Sequence, residues 1–427
     1  MKHFLSQFVP QWMKNYCYHL PLAIFAAVWF GFPALRQAQD GSRKLRVIGV
    51  TGTNGKTTTT NLIGRILEES GKKIAMASTI NYQMGDRRWV NASKYTTTSA
   101  WQVQQFLRAA LREGIEWVVL ETSSHALHQF RVWGIPYHTA VITNVTREHL
   151  DYHKTDAEYR RAKKILFQQA KRAVVNLDML RSEEYLEGNF LEKITYSTKN
   201  QAADVVAGNI NLDFKGAEFT TLGRTFRTKL PGLFNIENAL AAIATGKLLG
   251  ISVDTLVSAL ATVEGIPGRM ELVPNTRSLD IIIDYAVTPD ALEKLYSAVL
   301  PLKIPGTKII HVFGACGERD RGKRPIMGQI VSERADIIIL TNEDPYYENP
   351  ERILDEIEVG IMKKKKDETF FRIIDRRQAI QRALELAEEG DIVLVTGKGA
   401  EETMALGAKR VSWKERQIIE EELAQMK

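Results

Sequence analysis

Residues 50–60 read VTGTNGKTTTT, a glycine-rich turn between an apolar run, LRVIGVT (45–51), and an amphipathic segment, TTTTNLIGRILEESG (57–71). Leu62, Ile63, Ile66 and Leu67 fall on one helical face, so the order is strand, glycine turn, helix. A buried strand feeding directly into a helix belongs to a mostly parallel sheet covered by helices, which commits the chain to an α/β architecture. The same turn suits an anion. Backbone N–H groups at a helix start attract phosphate oxygens, Lys56 reaches terminal phosphates, and the Thr57 hydroxyl is a ligand for Mg²⁺. Two residues separate Gly52 from Gly55, where the usual phosphate loop has four. The plainer reading, a Gly/Thr turn with an exposed lysine, does not account for the flanking strand and helix.

The alternation continues along the chain. Apolar, β-branched runs at 116–121, 138–144, 171–178, 279–285, 308–314, 335–341 and 391–397 read as buried parallel strands. Residues 205–230 alternate polar and apolar positions between turn glycines, which predicts a small antiparallel insert. The Gly- and Pro-rich stretch 261–276 reads as a joint between a first α/β domain at 45–262 and a second at 266–427. The expected fold is thus a doubly wound central domain carrying the phosphate loop, followed by a Rossmann-like α/β domain. The net charge of +6 is spread among mixed charges, and KKKK at 363–366 reads as a solvated helix face rather than a nucleic-acid site. Cys17 and Cys316 lie far apart, which argues for a reducing compartment and against a structural zinc cluster.

Residues 1–44 stand apart. LPLAIFAAVWFGFPAL (20–35) is uncharged and flanked by Lys14, Arg36, Arg43 and Lys44, but it contains Pro21, Gly31 and Pro33. It is shorter than the roughly twenty residues of a membrane span. No small-residue cleavage site follows it, so secretion is not expected. A membrane-touching helix and a helix packed on the protein both fit. The expected location is cytoplasmic, with the inner face of the membrane as the alternative.

Two strand ends and one helix carry the candidate chemistry. Glu121 ends a strand in ETSSHAL, and His149 follows another in TNVTREHLDYH, so both belong at the carboxyl edge where doubly wound sheets gather ligands. A carboxylate and an imidazole there can bind a divalent metal. On the helix DAEYRRAKKILFQQA (156–170), Lys163 shares the apolar face with Tyr159, Leu166 and Phe167. An ammonium in that position either snorkels to water or loses its proton and reacts as an amine, for instance with CO₂ to give a metal-binding carbamate.

GTNGKTTT, ETSSHAL, TNVTREHLDYH with YRRAKK, LPGLFNIENALAA, GIPGRME, DYAVTPDAL, FGACGERDRGKRP and GKGAEE occur in this order. Together they resemble the Mur ligase family over 45–427, and within it the MurE type, the UDP-N-acetylmuramyl-tripeptide synthetases; GxxGK is this family's own form of the phosphate loop. The resemblance implies an ATP- and Mg²⁺-dependent ligase. An acceptor carboxylate attacks the γ-phosphate, and an amino acid's amine displaces phosphate from the acyl phosphate. It assigns Gly52, Thr53, Asn54, Gly55, Lys56, Thr57 and Thr58 to the ATP phosphates, with Thr57 on the first Mg²⁺. Glu121, His149 and carbamylated Lys163 go to a second Mg²⁺, Asn235, Asn238 and Arg269 to the nucleotide, and Asp284 to its ribose side. The plainer roles are helix capping for the asparagines and a surface ion pair for Arg269. A muramoyl-peptide acceptor is assigned to Thr97, Thr98, Ser124 and Arg131, whose fork suits a carboxylate; turn stabilisation is the plainer role for the hydroxyls. The incoming amino acid is assigned to Arg319, Asp344, Tyr346, Gly397 and Glu401. Nucleotide contacts on both sides of 261–276 imply closure of the two halves.

Three departures limit the likeness. Only 44 residues precede Leu45, fewer than the UDP-binding domain of the MurE type, which leaves the uridine unread or read another way and suggests work beside a membrane. NEDPYYENP (342–350) stands where diaminopimelate-adding relatives have DNPR; Tyr346 replaces the arginine, which disfavours diaminopimelate and favours L-lysine or another amino acid without a second carboxylate. Val287 stands where the family usually has His, and Ala400 likewise. The alternatives are a MurT-like subunit acting with a partner on a lipid-linked muramoyl peptide, or a non-catalytic nucleotide-binding scaffold. Two cysteines cannot supply the four zinc ligands of the MurT type. Folylpolyglutamate and cyanophycin synthetases fit less of the pattern. No nucleic-acid partner is expected, and the sequence assigns no protein partner.

Overall fold

The structure, a computed structural model, describes residues 9–35, 45–93, 95–146 and 148–426, with the backbone alone at 150 and 151. Residues 1–8 and 36–44 of the N-terminal segment lie outside the described residues. The chain forms two compact units: residues 1–210, 218–227 and 235–263, and residues 211–217, 228–234 and 264–427.

The strands of the first unit are β1 (Arg46–Thr51), β2 (Ile74–Ala77), β3 (Asn81–Met84), β4 (Arg87–Val90), β5 (Trp117–Glu121), β6 (Tyr137–Ile142), β7 (Arg172–Asn176), β8 (Glu192–Ser197) and β9 (Val205–Val206). They form one sheet in the order β4-β3-β2-β5-β1-β6-β7-β8-β9, antiparallel only at β2-β3-β4. Its helices are α1 (Gln11–Lys14), α2 (Leu20–Trp29), α3 (Lys56–Glu69), α4 (Ala100–Arg112), α5 (Ser124–His128), α6 (Leu150–His153), α7 (Asp156–Gln168), α8 (Leu233–Leu248) and α9 (Val253–Ala261); a π-helical turn, Asn15–His19, joins α1 to α2. Local signals set these boundaries. Ser99 and Gln102 make a reciprocal capping box at the start of α4, and Thr155 accepts a hydrogen bond from Glu158 N at the start of α7.

Register decides where the chemistry lies. β1 is flanked by β5 and β6, all parallel, with Val50 opposite Glu121 and Thr51 opposite Ile142. The three strands therefore end level, and the loops after them leave from one edge at the point where the strand order reverses. Gly49 fixes the helix above. A Cβ there would lie 2.6 Å from Leu166 Cδ1 and 2.7 Å from Tyr137 Cε1, so the missing side chain lets α7 sit close on β1.

An insert of β10 (Gly208–Asp213), β11 (Gly216–Thr221) and β12 (Arg224–Thr228) forms the three-stranded sheet expected at 205–230. The second unit contains β13 (Glu271–Val273), β14 (Asp280–Asp284), β15 (Ile309–Phe313), β16 (Ile337–Leu340), β17 (Phe370–Arg372) and β18 (Ile392–Thr396), in the order β13-β14-β18-β15-β16-β17. Only β13 is antiparallel. A hairpin, β19 (Thr403–Leu406) and β20 (Lys409–Ser412), follows β18. All eight strands expected from apolar runs are present. The stretch 363–366 is exposed or half-buried loop, not a helix, and Lys364 donates to the Ala335 carbonyl. β4 escaped notice because every residue of RRWV is exposed, which removes the alternation that marks a half-buried strand.

Gly49→Ala is expected to lower stability by about 1–3 kcal/mol through overpacking of α7 on β1. Urea unfolding checks this, and an unchanged midpoint would show that α7 yields without strain.

Candidate active site

The phosphate loop is built as the sequence requires. Gly55 precedes α3 with φ 81°, and Gly52 has φ 152°. A Cβ at Gly52 would run into Thr143 Oγ1, and one at Gly55 into Asn238 Oδ1, so both glycines are demanded by close packing as well as by conformation. The loop after β6 braces the turn from the side. Asn144 O accepts from Thr53 N at 2.8 Å, Asn144 Oδ1 from Asn54 N at 2.9 Å, and Thr143 Oγ1 donates to Asn54 O at 2.6 Å. Lys56 Nζ donates to Thr53 O at 2.7 Å. Thr53, Thr57 and Thr58 are buried. Asn235 and Asn238 lie inside α8, buried, not at its cap; Asn238 Nδ2 donates to Asn235 Oδ1, and Thr59 Oγ1 donates to Asn238 Oδ1.

Glu121 is buried beside this loop. It accepts from Thr57 Oγ1 at 3.1 Å, from Thr79 Oγ1 at 2.8 Å and from Thr79 N at 2.7 Å. Hydroxyl and carboxylate oxygens held side by side are hard donors that fit Mg²⁺. Lys163 is 1% exposed, and its Nζ donates to Gly52 O at 2.7 Å while lying 4.4 Å from the centre of the Tyr159 ring. Burial holds its amine well below the usual ammonium range; the charge of Lys56 adds to this, and Glu148 opposes it. The lysine therefore does not snorkel. His149 has φ 56°, and its ring meets those of His125 (centroids 4.7 Å apart) and Tyr159 (6.0 Å). Tyr159 is thus the shared neighbour of His149 and Lys163, and its hydroxyl lies 3.1 Å from Thr53 Oγ1. Among the described residues no three His, Cys, Asp or Glu side chains form a metal site. A metal here would depend on the hydroxyl, the single carboxylate and a modified lysine.

The expected acceptor residues are near one another but differently employed. Thr97 Oγ1 donates to Glu121 O and accepts from Ser123 N, which is the plainer, turn-stabilising role. Thr96, Thr97, Thr98 and Glu121 line one small cavity. Ser124 Oγ lies 3.0 Å from His153 Nε2. The fork of Arg131 is already engaged: Nη1 donates to Thr97 O, and Nε and Nη2 to Gln129 Oε1. The fork that the sequence offers to a carboxylate is thus held by partners within the protein.

In the second unit, register again aligns the strand ends, with Asp284 opposite Thr396 and Phe313 opposite Leu340. Arg269 is half-buried, and its guanidinium lies 4.8 Å from the Tyr285 ring centre. Burial pushes the Asp284 carboxyl up to about 6, against the opposing pull of Arg269 and of the Met270 N–H. Asp344 is buried and committed to Lys398 Nζ at 2.9 Å and Ala405 N at 2.7 Å. Lys398, fully buried, also donates to Glu401. Asp344 is therefore structural in the first instance, a correction to its assignment as a direct contact. Gly397 (φ 116°) packs on Glu343, and Arg319 is exposed. Tyr346 (φ 51°) lies under the Arg410 guanidinium, 5.0 Å from ring centre to Cζ.

The profile of the Mur ligase middle domain matches residues 50–246, and that of the Mur ligase, glutamate ligase domain matches 268–399. The chain belongs to the Mur ligase family. A UDP-N-acetylmuramoyl-L-alanyl-D-glutamate--2,6-diaminopimelate ligase of Geobacillus thermodenitrificans is 39% identical over 410 residues, covering 93% of this chain and 81% of its own. A UDP-N-acetylmuramyl-tripeptide synthetase of Roseiflexus sp. is 38% identical, covering 95% and 82%. A solved structure bearing the first of these names superposes with a TM-score of 0.64 at 32% identity, over 91% of this chain and 80% of that one. MurF ligase from Thermotoga maritima in complex with ADP shares the fold, with a TM-score of 0.65 at 21% identity over 96% and 85%. The chain is thus an ATP-dependent, amide-forming ligase of peptidoglycan biosynthesis.

Within this Mur ligase, Thr79, Thr143, Asn144 and Tyr159 shape the phosphate-loop edge of the first unit, and Lys398 the strand ends of the second, without having stood out as site residues in the sequence. Asn144 had a signal, its place right after an apolar strand; Lys398 had none beyond lying between two glycines. Lys398→Met leaves Asp344 and Glu401 without their cation in a buried setting. It should lower stability by about 3–5 kcal/mol in chemical unfolding; a loss under about 1 kcal/mol would place the cluster in solvent.

Proposed function

We propose that this Mur ligase adds the third amino acid to a UDP-MurNAc-L-Ala-D-Glu-type precursor through an acyl phosphate. The observation that carries the reading is the meeting of Thr57 with Glu121, and of Lys163 with Gly52, at one sheet edge. The loop N–H groups and Lys56 would hold the phosphates, Asn235, Asn238, Arg269 and Asp284 the nucleoside. Thr57, Glu121, His149 and Lys163 as a carbamate would hold Mg²⁺, which when bound offsets negative charge on the phosphates. The buried amine supports the carbamate: an uncharged nitrogen attacks CO₂, a C–N bond forms, and one proton leaves. Thr97, Thr98, Ser124 and Arg131 line the acceptor's side. Excluding water there protects the acyl phosphate until the amine arrives.

Which amino acid arrives turns on Tyr346. Its phenol lacks the charge that a second carboxylate calls for, which favours L-lysine. Arg410 favours the second reading, since it brings a guanidinium to the Tyr346 ring from a different strand. The relatives named as 2,6-diaminopimelate ligases agree with that reading. Glu401, Gly397 and Arg319 would take the α-carboxylate and amine in either case.

The test is phosphate release with ATP, Mg²⁺ and UDP-MurNAc-L-Ala-D-Glu against L-lysine and meso-diaminopimelate, with the product mass followed. One of them should give stoichiometric phosphate and a tripeptide mass. ATP binding without turnover would transfer the reading to a lipid-linked acceptor handled with a partner subunit. If diaminopimelate is the substrate, Arg410→Ala should raise its KM about tenfold or more with little change in kcat; an unchanged KM would remove Arg410 from recognition. Lys163→Ala should lower turnover about a hundredfold or more, with partial recovery on adding a short carboxylate. Near-normal activity of that variant without the additive would eliminate the carbamate.

A further inference from the structure

The N-terminal helical segment is packed inside out. Ala23, Ala26 and Ala27 are buried, the first two in a cluster with Ala100, Trp101, Phe130 and Trp133. Much large apolar surface nonetheless stays outside: Trp12 is 62% exposed, Tyr16 59%, Phe25 53%, Val28 58% and Trp29 66%, although Phe25 and Trp29 rest one side on Trp101 and Tyr16 on Phe130. A surface helix in water does the reverse, turning its large apolar side chains to the core.

The π turn makes this arrangement persist along the segment. Eight α-helical residues overshoot two whole turns by about 80°, which would carry Asn15 off the face of Ala23. The wider turn at Asn15–His19 takes most of that rotation back, so Asn15 is buried on the same side as Ala23 and Ala27. Polar contacts then hold the segment to the unit. Asn15 Nδ2 lies 3.4 Å from the His128 ring nitrogens, and Gln11 Nε2 donates to Tyr152 OH at 3.2 Å. The exposed side is thus a fixed apolar surface, not a loose tail.

We propose that this exposed aromatic face docks on the surface of an anionic lipid bilayer. Charge selects that occupant. Residues 1–44 contain Lys2, Lys14, Arg36, Arg43 and Lys44 against a single acid, Asp40. A positive segment is attracted to anionic headgroups and repelled by a second copy of itself. The side chains match as well, since Trp and Tyr are the residues that settle at a membrane–water boundary. No helix among the described residues is long and apolar enough to cross a membrane, so the segment lies in the plane of the interface. His128 and Tyr152, which fasten it, flank Ser124 and His153, so docking brings the proposed acceptor side of the first unit near the lipid surface. The docking itself does not depend on which acceptor is used.

The experiment is co-sedimentation of the full chain with vesicles of phosphatidylcholine alone and with about one-third phosphatidylglycerol, at low and high salt. The wild type should partition onto the anionic vesicles and release as salt rises. Phe25→Ser/Trp29→Ser should weaken partition about tenfold or more, with a thermal melt showing that the variant is folded. Trp12→Ser/Tyr16→Ser, at the other end of the face, serves if the first variant does not fold. A wild type that stays in the supernatant with both vesicles overturns the proposal. So does equal binding by both variants, or a dimer in sedimentation velocity that the same substitutions abolish in place of vesicle binding.

Discussion

The buried contact between Lys163 Nζ and Gly52 O ties the first unit's architecture to its chemistry. It needs α7 low on the sheet, which the bare Cα of Gly49 permits, and it needs the phosphate loop turned so that its first carbonyl faces the helix. Burial holds the Lys163 amine well below the usual ammonium range, with the charge of Lys56 adding to this and Glu148 opposing it, and so favours the uncharged, nucleophilic form. One packing decision at Gly49 thus reaches the reactivity of a residue on another element. The same logic explains Tyr159, whose ring covers Lys163 on one side and meets His149 on the other.

Level strand ends do the remaining work of assembly. Because β1, β5 and β6 stop together, short loops suffice to bring Glu121 to Thr57, and Thr143 and Asn144 to the phosphate loop. The second unit repeats the device with β14, β15, β16 and β18, which end with Asp284, Phe313, Leu340 and Thr396. Short loops on a rigid edge are the reason hydroxyls such as Thr97 are spent on bracing rather than left open. A site that must hold charged reactants still needs its own walls fixed first.

What the sequence revealed follows from what is local. Strand, glycine turn and helix at 45–71 are read from neighbours in the chain, and so is the oddity of a lysine on an apolar helix face. The small antiparallel insert came from turn glycines and alternation. Long-range pairings were not readable. Nothing around Lys398 announces Asp344, fifty-four positions away, and nothing in DPYYE or GAKRV announces that Arg410 lies over Tyr346. The partners of the Arg131 fork were hidden for the same reason, since Gln129 and Thr97 take it up only once the chain folds. β4 was invisible because RRWV is exposed throughout, and its stacking of Trp89 on Tyr82 of β3 is a cross-strand pairing that the sequence does not announce.

The N-terminal segment shows how a composition that fits two environments is decided by packing. Uncharged and apolar, 20–35 satisfied both a helix buried on the protein and one facing lipid. The structure divides the two between its faces: alanines meet α4 closely, because small side chains let helices approach, while Phe25 and Trp29 touch Trp101 and still leave more than half of their surface outside. Had the segment served only to cover the core, the large residues would contribute more buried area facing inward, by about 25 cal/mol for each Å² moved. That part of this gain is forgone at Trp12, Tyr16, Phe25, Val28 and Trp29, with a π turn maintaining the register, fits a constraint on the outward face. The inward face need only hold it at a fixed angle, which Asn15 on His128 and Gln11 on Tyr152 do with directional bonds rather than bulk.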